Sequence, residues 1–368
     1  MKTVLFTQHT LGFGGIDRVA CFLVNGFVQA GYTVHYVIAC DGGPGSEALK
    51  PIIDDEVKLT FLSDGQTNRS ADLARNLMGF VRAIRRAQPD CVVSTCNNMN
   101  WITALAVKIS GVDTKLVLKT TNPIIRSADG RTLAAIRKYF YRRAFVFADA
   151  VLPLSHAEAV LLSQHFPDAA LKFQPVINPY VTNDMIAKPA EQIRDSTSKI
   201  ILGVGRFEPQ KRLDLLIQSF ALIKDKDARL VILGDGPQRD QCERLCRELG
   251  VEHRVDLMGF VDNVASWYNK ADVFVLTSIY EGLPAVVFEA LGANCPVITT
   301  DCFLAAKEIL GQAKCCRVAD KSSPGAIAEM IDDCLNQQRP NNLARIAQAY
   351  SVENGIKSHV EIISKAMA

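Results

Sequence analysis

VFVLTSIYEGLPAVVFEAL (273–291) decides how this chain folds. VFVLTS (273–278) is an apolar run of strand length ended by a polar and Gly-Pro break. A helix-like run begins at about Pro284. That puts Glu281 at the carboxyl end of a buried strand and Glu289 about two turns into the next helix. In an open α/β sheet, ligands bind at that edge. The simpler readings are a helix-start carboxylate and an exposed helix charge. Against them, Ala285, Val286, Val287 and Phe288 are apolar, so Glu289 sits in a mostly buried stretch. A buried carboxylate needs partners, and two ribose hydroxyls are one arrangement that supplies them.

Outward from this stretch, strands and helical patterns alternate in two sets. KTVLFT (2–7), a glycine loop and the helical IDRVACFLVNGFVQAG (16–31) open the first. YTVHYVIAC, CVVST, KLVLKT and AVLPLS continue it, with helical patterns at 70–88, 100–110 and 131–147. SKIILGVGR (198–206) opens the second, followed by LDLLIQSFALIK, ARLVILG, QRDQCERLCRELG, VDLMG, VFVLTS and CPVITT. Both sets read as doubly wound α/β units. Residues 181–197 are polar without clear periodicity and read as the linker. The chain therefore divides at 1–183 and 184–350, and SVENGIKSHVEIISKAMA (351–368) is an amphipathic helix outside the second unit's rhythm.

The 368 residues suit two domains, and the formal net charge is +2. The charge is uneven: residues 70–150 hold 13 basic and 5 acidic side chains, an excess of +8. Such a local excess suits an anionic partner. The eleven cysteines are scattered and several lie in core-like runs, which favours a reducing compartment. Neither Cys242-x3-Cys246 nor Cys315-Cys316 has zinc-site spacing. The apolar run at the start is cut short by Gln8 and His9, and no stretch approaches transmembrane length. A cytoplasmic protein follows, with any membrane contact peripheral, at the inner face of the membrane.

Two further loops carry chemistry. HTLGFGGIDR (9–18) joins the first strand to the first helix, where Gly12, Gly14 and Gly15 would let a diphosphate approach the helix N-terminus. A plain tight turn explains them equally, and Asp17 stands where a dinucleotide fingerprint needs its third glycine. GVGRFEPQKRLD (203–214) follows the second unit's first strand. Its Arg206 and Lys211 sit five apart and are able to converge on one pyrophosphate, or else are two solvated loop charges.

With these residues in view, the second unit resembles the nucleotide-binding domain of the family 4 glycosyltransferases, retaining enzymes of the GT-B fold. The likeness is nearly continuous over 198–310: GVGRFEPQKRLD, LGDGP, VDLMGFVDN, YNKADVFVLTS, EGLP and EALGANCPVITTDC. The first unit resembles the family more weakly, through GFGGIDR, Ser155 and INP (177–179). The resemblance implies two Rossmann-like domains with the donor between them and the C-terminal helix crossing back to the first. It implies that Arg206 and Lys211, beside Gly205, bind the donor diphosphate, that Glu289 takes the ribose and that Glu281 lies near the sugar. Gly282, Leu283, Pro284, Val286 and Val287 would supply the loop and backbone donors around phosphate and sugar. Gly14 and Gly15 would face the diphosphate from the other domain.

The implied activity is retaining, metal-independent hexosyl transfer from a UDP- or GDP-sugar to a glycan or lipid-linked acceptor. Preorganised cations and helix N-termini would stabilise the departing phosphate. The literal D-x-D, Asp225-Lys226-Asp227, precedes a strand and so reads as a surface turn at the wrong edge. The chain departs from its relatives in two places. Thr120, Thr121 and Asn122 stand where many carry a histidine, so Thr121 or Asn122 is assigned to sugar or acceptor. Ala305-Ala306 replaces a Gly-Pro, so donor identity is not carried over. A nucleotide-sugar epimerase and an inactive sugar-nucleotide sensor are the alternatives. The intact Arg206, Lys211, Glu281 and Glu289 weigh against the sensor.

The segment 126–147 holds Arg126, Arg131, Arg137, Lys138, Arg142 and Arg143 among aromatic residues. Arg137, Lys138, Arg142 and Arg143 are read as facing an anionic membrane surface, against the alternative of a solvated helix face. No nucleic-acid motif accompanies the charge.

Overall fold

The computed structural model describes all residues except 13, 42, 64–68, 126–130, 187–197 and 321–322. Arg126 and most of the expected linker therefore lie outside the described residues. The chain forms two compact units, Met1–Pro179 with Val352–Ala368, and Tyr180–Ser351.

The first unit runs β1 (Thr3–Thr10), α1 (Gly15–Gln29), β2 (Thr33–Cys40), α2 (Pro44–Leu49), β3 (Lys58–Phe61), α3 (Arg69–Ala87), β4 (Cys91–Ser94), α4 (Asn97–Ser110), β5 (Lys115–Lys119), α5 (Arg131–Phe147), β6 (Ala150–Leu152) and α6 (His156–His165). Its six strands pair in the order β3-β2-β1-β4-β5-β6, all parallel. β4 is buried at every position, as a strand covered by helices on both faces must be. Phe80, Phe145 and Phe166 fill the layer between the sheet and the helices.

The second unit runs β7 (Ile200–Val204), α7 (Leu213–Leu222), β8 (Arg229–Leu233), α8 (Arg239–Glu248), β9 (Val255–Gly259), α9 (Val264–Lys270), β10 (Val273–Leu276), α10 (Ala285–Gly292), β11 (Val297–Thr300), α11 (Ala306–Leu310), β12 (Arg317–Ala319), α12 (Pro324–Leu335) and α13 (Ala344–Gln348). Its order is β12-β11-β10-β7-β8-β9, again parallel. In each sheet the first strand lies centrally and the chain turns opposite ways from it. The resulting switch points, β1/β4 and β7/β10, are where the carboxyl-end loops part and leave a crevice.

α14 (Val352–Ala366) belongs to the first unit. It seats closely because Gly355 lies against Pro179, where any Cβ would collide with the proline backbone. Tyr32 and Ser364 share a hydroxyl hydrogen bond of 2.7 Å, and His359 is wholly buried beneath the helix. The two chain segments that connect the units run together inside the second. The N–H of Tyr180 donates to the carbonyl of Tyr350, and Val181 bridges Ser351.

Candidate active site

The loops after β7 and β10 meet at the second unit's switch point. Lys211 Nζ donates to Glu281 Oε1 at 2.6 Å, and Ser278 Oγ donates to the same oxygen at 2.6 Å. Backbone and side-chain bonds stitch the loops below this pair. The N–H of Ile279 donates to the Gln210 carbonyl, and Thr277 Oγ1 donates to the carbonyls of Lys211 and Arg212. Arg212 takes the left-handed conformation, φ 48°, which turns the chain from the Pro209–Lys211 helical turn into α7. A non-glycine residue there costs about 1–2 kcal/mol, offset by the interlocked loop.

Arg206 stands differently. Its side chain is 65% exposed, and Nη1 lies 2.9 Å from Glu208 Oε1. Its loop is held by the next one: Gly205 donates to the Leu233 carbonyl and Phe207 to that of Asp235. Gly234, φ 125°, is required at this junction because a Cβ would strike the Gly205 carbonyl. The LGDGP stretch thus supports the arginine loop.

Glu281 follows β10, as read from the sequence. Glu289 is the fifth residue of α10, so it lies little more than one turn into the helix rather than two. The break at Gly282–Pro284 runs on to Pro284, which is the N-cap. Glu289 is buried and accepts from Tyr268 Oη at 3.1 Å. The N–H of Val287 donates to the Pro284 carbonyl, so its backbone is already engaged, and Val286 and Ala285 are the first-turn N–H groups without an intrahelical acceptor. Leu283 is buried, and its carbonyl accepts from Tyr180 Oη at 2.7 Å. Phe288 stacks on Tyr180, with ring centroids 5.2 Å apart, and lies tilted against Tyr350 at 4.0 Å.

Arg339 anchors this region. Its guanidinium donates to the carbonyls of Tyr268, Asn269 and Ala271 at the end of α9, and of Ala293 and Asn294 at the end of α10. One side chain therefore caps the two helices that carry Tyr268 and Glu289.

In the first unit Gly14 is the N-cap of α1, and Gly15 begins it. The Asp17 carboxylate accepts from the Gly14 N–H at 3.2 Å and from Gln8 Nε2 at 2.8 Å. A Cβ at Gly12 or Gly14 would press on that carboxylate, which gives these glycines a local role. Thr121 and Asn122 follow β5. The Thr121 N–H donates to Asn97 Oδ1 at 2.8 Å, and Asn97 Nδ2 donates to the Asn122 carbonyl at 2.7 Å. Below them Lys119 is buried, with Nζ donating to Asn178. Burial pushes its pKa down to about 7, opposed by the nearby Glu158. Burial in turn raises the Glu158 carboxyl, although the Leu154 N–H and Thr120 hydroxyl donate to it.

Residues 184–351 match the family described as Glycosyl transferases group 1, and residues 13–174 match Glycosyltransferase Family 4. The lipopolysaccharide 1,6-galactosyltransferase of Escherichia coli (strain K12) is 30% identical over 315 residues, 84% of this chain and 82% of that one. This chain is a family 4 glycosyltransferase. A relative from Campylobacter jejuni, the N-acetylgalactosamine-N,N'-diacetylbacillosaminyl-diphospho-undecaprenol 4-alpha-N-acetylgalactosaminyltransferase, is 28% identical over 82% of each chain. HepE of Anabaena, solved with UDP and glucose, aligns with a TM-score of 0.79 at 18% identity, covering 99% of this chain and all of that one. The fold is GT-B.

The glycosyltransferase does not present Arg137, Lys138, Arg142 and Arg143 as one outward face. At about 100° per residue, positions 137 and 143 fall on different sides of α5. Arg137 is half-buried and lines a pocket with Asn97 and Tyr141. Lys138 lies over the Phe166 ring at 6.0 Å, and Arg142 Nε donates to Asp168 at 2.9 Å. Arg143 is exposed, on the side of the helix that also exposes Ile136, Phe140 and Phe147. The D-x-D residue Asp225 accepts from the N–H groups of Asp227 and Ala228, so it closes the turn before β8. Among the described residues no group of three His, Cys, Asp or Glu side chains is placed to hold a metal ion, and no helix is long and apolar enough to cross a membrane.

Ser278, Tyr268 and Arg339 are missed by sequence reasoning. Ser278 was hidden as the last letter of an apolar strand run. Arg339 lies 70 residues from Asn269, whose carbonyl it caps, and no local pattern announces such a partner.

Proposed function

We propose that this glycosyltransferase is a retaining, metal-independent enzyme that moves a sugar from a nucleotide-diphospho-sugar to a lipid-linked or lipopolysaccharide-type glycan. The observation that carries the proposal is the Lys211–Glu281–Ser278 cluster at the β7/β10 switch point. An ammonium has three N–H donors. Lys211 spends one on Glu281, which leaves its charge directed at an arriving β-phosphate. Arg206 is exposed and pairs with the neighbouring, half-buried Glu208 carboxylate, a partly exposed ion pair that it can leave for the same diphosphate at little cost. Glu281 is then oriented toward the sugar, and the buried Glu289–Tyr268 pair offers a carboxylate to ribose hydroxyls. Charge builds on the leaving phosphate, where the held Lys211 and the Arg206 that turns to it supply the stabilising positive charge. In a retaining reaction the departing phosphate can itself take the acceptor proton.

Support for the acceptor class comes from the relatives. The Campylobacter protein is named for a diphospho-undecaprenol acceptor and the Escherichia coli protein for lipopolysaccharide. UDP in the HepE structure supports a uridine donor. A panel of UDP- and GDP-sugars screened by thermal shift tests the donor, since a ligand of the folded state raises Tm. Labelled donor with a sugar-diphospho-polyprenol acceptor in excess EDTA tests the rest. The expected product has the donor's anomeric configuration. An inverted product, or strict dependence on added magnesium or manganese, overturns the mechanism.

A further inference from the structure

The adjacent cysteines of the second unit, Cys315 and Cys316, stand in the turn that leads into β12, and the donor site makes no use of them. All eleven cysteines are free thiols, and only Cys40 and Cys315 are not buried. Cys40 donates to the His9 carbonyl at 3.5 Å. Cys315 has a thiol neighbour instead, since the Cys316 S–H donates to its sulfur. Cys316 is buried, and its own sulfur accepts from the Val297 N–H of β11 at 3.4 Å, which fixes it in place. The turn is pinned as well. The Cys316 N–H donates to the Ala313 carbonyl at 3.0 Å, and Arg317 Nη1 donates to the carbonyls of Lys314 and Cys316. Arg317 thus closes over the turn that presents Cys315, and its charge acts on that thiol.

We propose that Cys315 is a modification site that forms a mixed disulfide with an anionic low-molecular-weight disulfide, with Cys316 as the positioning residue that donates to its thiolate. The hydrogen bond from Cys316 pulls the Cys315 thiol down to about 7, against its burial and with help from Arg317. The same bond and then burial push the Cys316 thiol far up. The half-buried sulfur therefore carries the negative charge, and the buried one keeps the proton. The elements around the turn leave this intact. α12 brings Cys334, which burial raises to about 12, with Asp333 next to it in the chain. Lys307 of α11 is taken up by Asp301 and Asp320. Thiolate character and access are what make a cysteine reactive, and the buried thiols lack both. In the reaction the Cys315 thiolate attacks one sulfur of the small disulfide. A new S–S bond joins protein and ligand as the old one breaks. The electron pair of the old bond leaves on the second sulfur, as a thiolate that takes a proton from water. No other oxidant is needed. Lys314 and Arg317 flank the thiol and favour an anionic disulfide over a cationic one. The reaction stops at the mixed disulfide because Cys316 is poorly placed to displace the ligand. Consecutive Cα atoms stand about 3.8 Å apart, short of the roughly 4.4–6.8 Å that a disulfide prefers. This site is independent of glycosyl transfer, and so is its test.

Oxidised glutathione supplies the anionic probe and cystamine the cationic one. The full chain, reduced and freed of reductant, is incubated with each at pH 7 and mapped by peptide mass spectrometry. A single glutathione adduct is expected on Cys315, with Cys40 unmodified and the addition reversed by dithiothreitol. Cystamine should react several-fold more slowly, and Cys315→Ser should abolish the adduct. The rate should rise with pH to a plateau, with its midpoint near the Cys315 value of about 7. A lowered thiol pKa also lowers nucleophilicity, so the gain at pH 7 over an ordinary thiol is only about 2–5-fold, and the midpoint is the decisive reading. Cys316→Ala should move that midpoint up by about one unit or more. Cys316→Ser restores a donor at the same place and should bring it back, which a merely structural role would not do. The wild-type map and pH profile decide the site even where Cys316→Ala does not fold. Modification first at Cys40 or at a buried cysteine, no adduct on the folded chain, or a midpoint unmoved by Cys316→Ala overturns the proposal. Loss of both thiols without added mass, the mark of a Cys315–Cys316 disulfide, overturns the mixed-disulfide product. Cystamine reacting as fast as oxidised glutathione overturns the anionic class.

Discussion

Lys211 and Arg206 share one loop but stand in opposite electrostatic situations. Lys211 is largely buried against Glu281, whereas Arg206 projects into solvent. Removing one partner of a buried pair costs about 3–5 kcal/mol, because the other is left uncompensated. Lys211→Met should therefore lower Tm as well as turnover, and Lys211→Met with Glu281→Gln should recover much of the Tm while turnover stays about 10²-fold down or more. Arg206→Ala should leave Tm within the scatter of surface substitutions, about 0.5 kcal/mol, and still depress turnover. Thermal melts beside initial rates check this. Equal Tm losses in both single variants would count against the different burial of the two cations. The four charged positions were legible in the sequence because their spacing is fixed by two short loops. Their states of pairing were not, because pairing depends on how the loops fold onto each other.

Elements add contacts that no local pattern announces. Arg339 reaches the last carbonyls of both α9 and α10, and a lysine cannot replace a planar fork that serves five acceptors. Arg339→Lys is expected to lower Tm by several degrees and to weaken UDP binding, since Tyr268 and Glu289 ride on those helices. Calorimetry with UDP alone decides it, and unchanged affinity would show that the cap does not position the nucleotide site. The helix pattern of 351–368 was plain from sequence, but its buried histidine was not. His359 Nδ1 bonds the Gly355 carbonyl, and burial, with Lys119 nearby, holds its pKa well below the ordinary 6.5. The unfolded chain thus binds a proton that the folded one refuses. The stability from neutral His359 is full above about pH 6.5 and is lost as pH falls below it, at up to about 1.4 kcal/mol per pH unit. His359→Gln should remove that component of the slope between pH 6.5 and 5.5. Parallel Tm–pH curves for the two proteins would refute it. The edge strands β3 and β12 escaped the sequence because each is partly exposed and carries no apolar run, whereas the equally short β4 and β6 are wholly buried and apolar enough to read.

Across the whole molecule, the excess of +8 over residues 70–150 was countable from sequence, but the side chains that use it internally were not. Lys119 is buried, Arg85 donates to the carbonyls of Ile109 and Ser110, and Arg142 is held by Asp168. What α5 offers outward is more apolar than the sequence implied: Ile136, Tyr139, Phe140, Val146 and Phe147 are all exposed, with Arg143 among them. A membrane contact through this strip would rest on apolar insertion first and charge second. Each cation near an anionic surface adds about 1 kcal/mol, lost with salt, whereas buried apolar area is insensitive to it. Co-sedimentation with anionic vesicles should separate the terms. Tyr139→Ser with Phe147→Ser should abolish binding at every ionic strength, Arg143→Gln should weaken it at low salt only, and Arg142→Gln should change little because Asp168 already neutralises that charge. Equal losses for Arg142→Gln and Arg143→Gln, with the apolar pair silent, would return the strip to an ordinary solvated face.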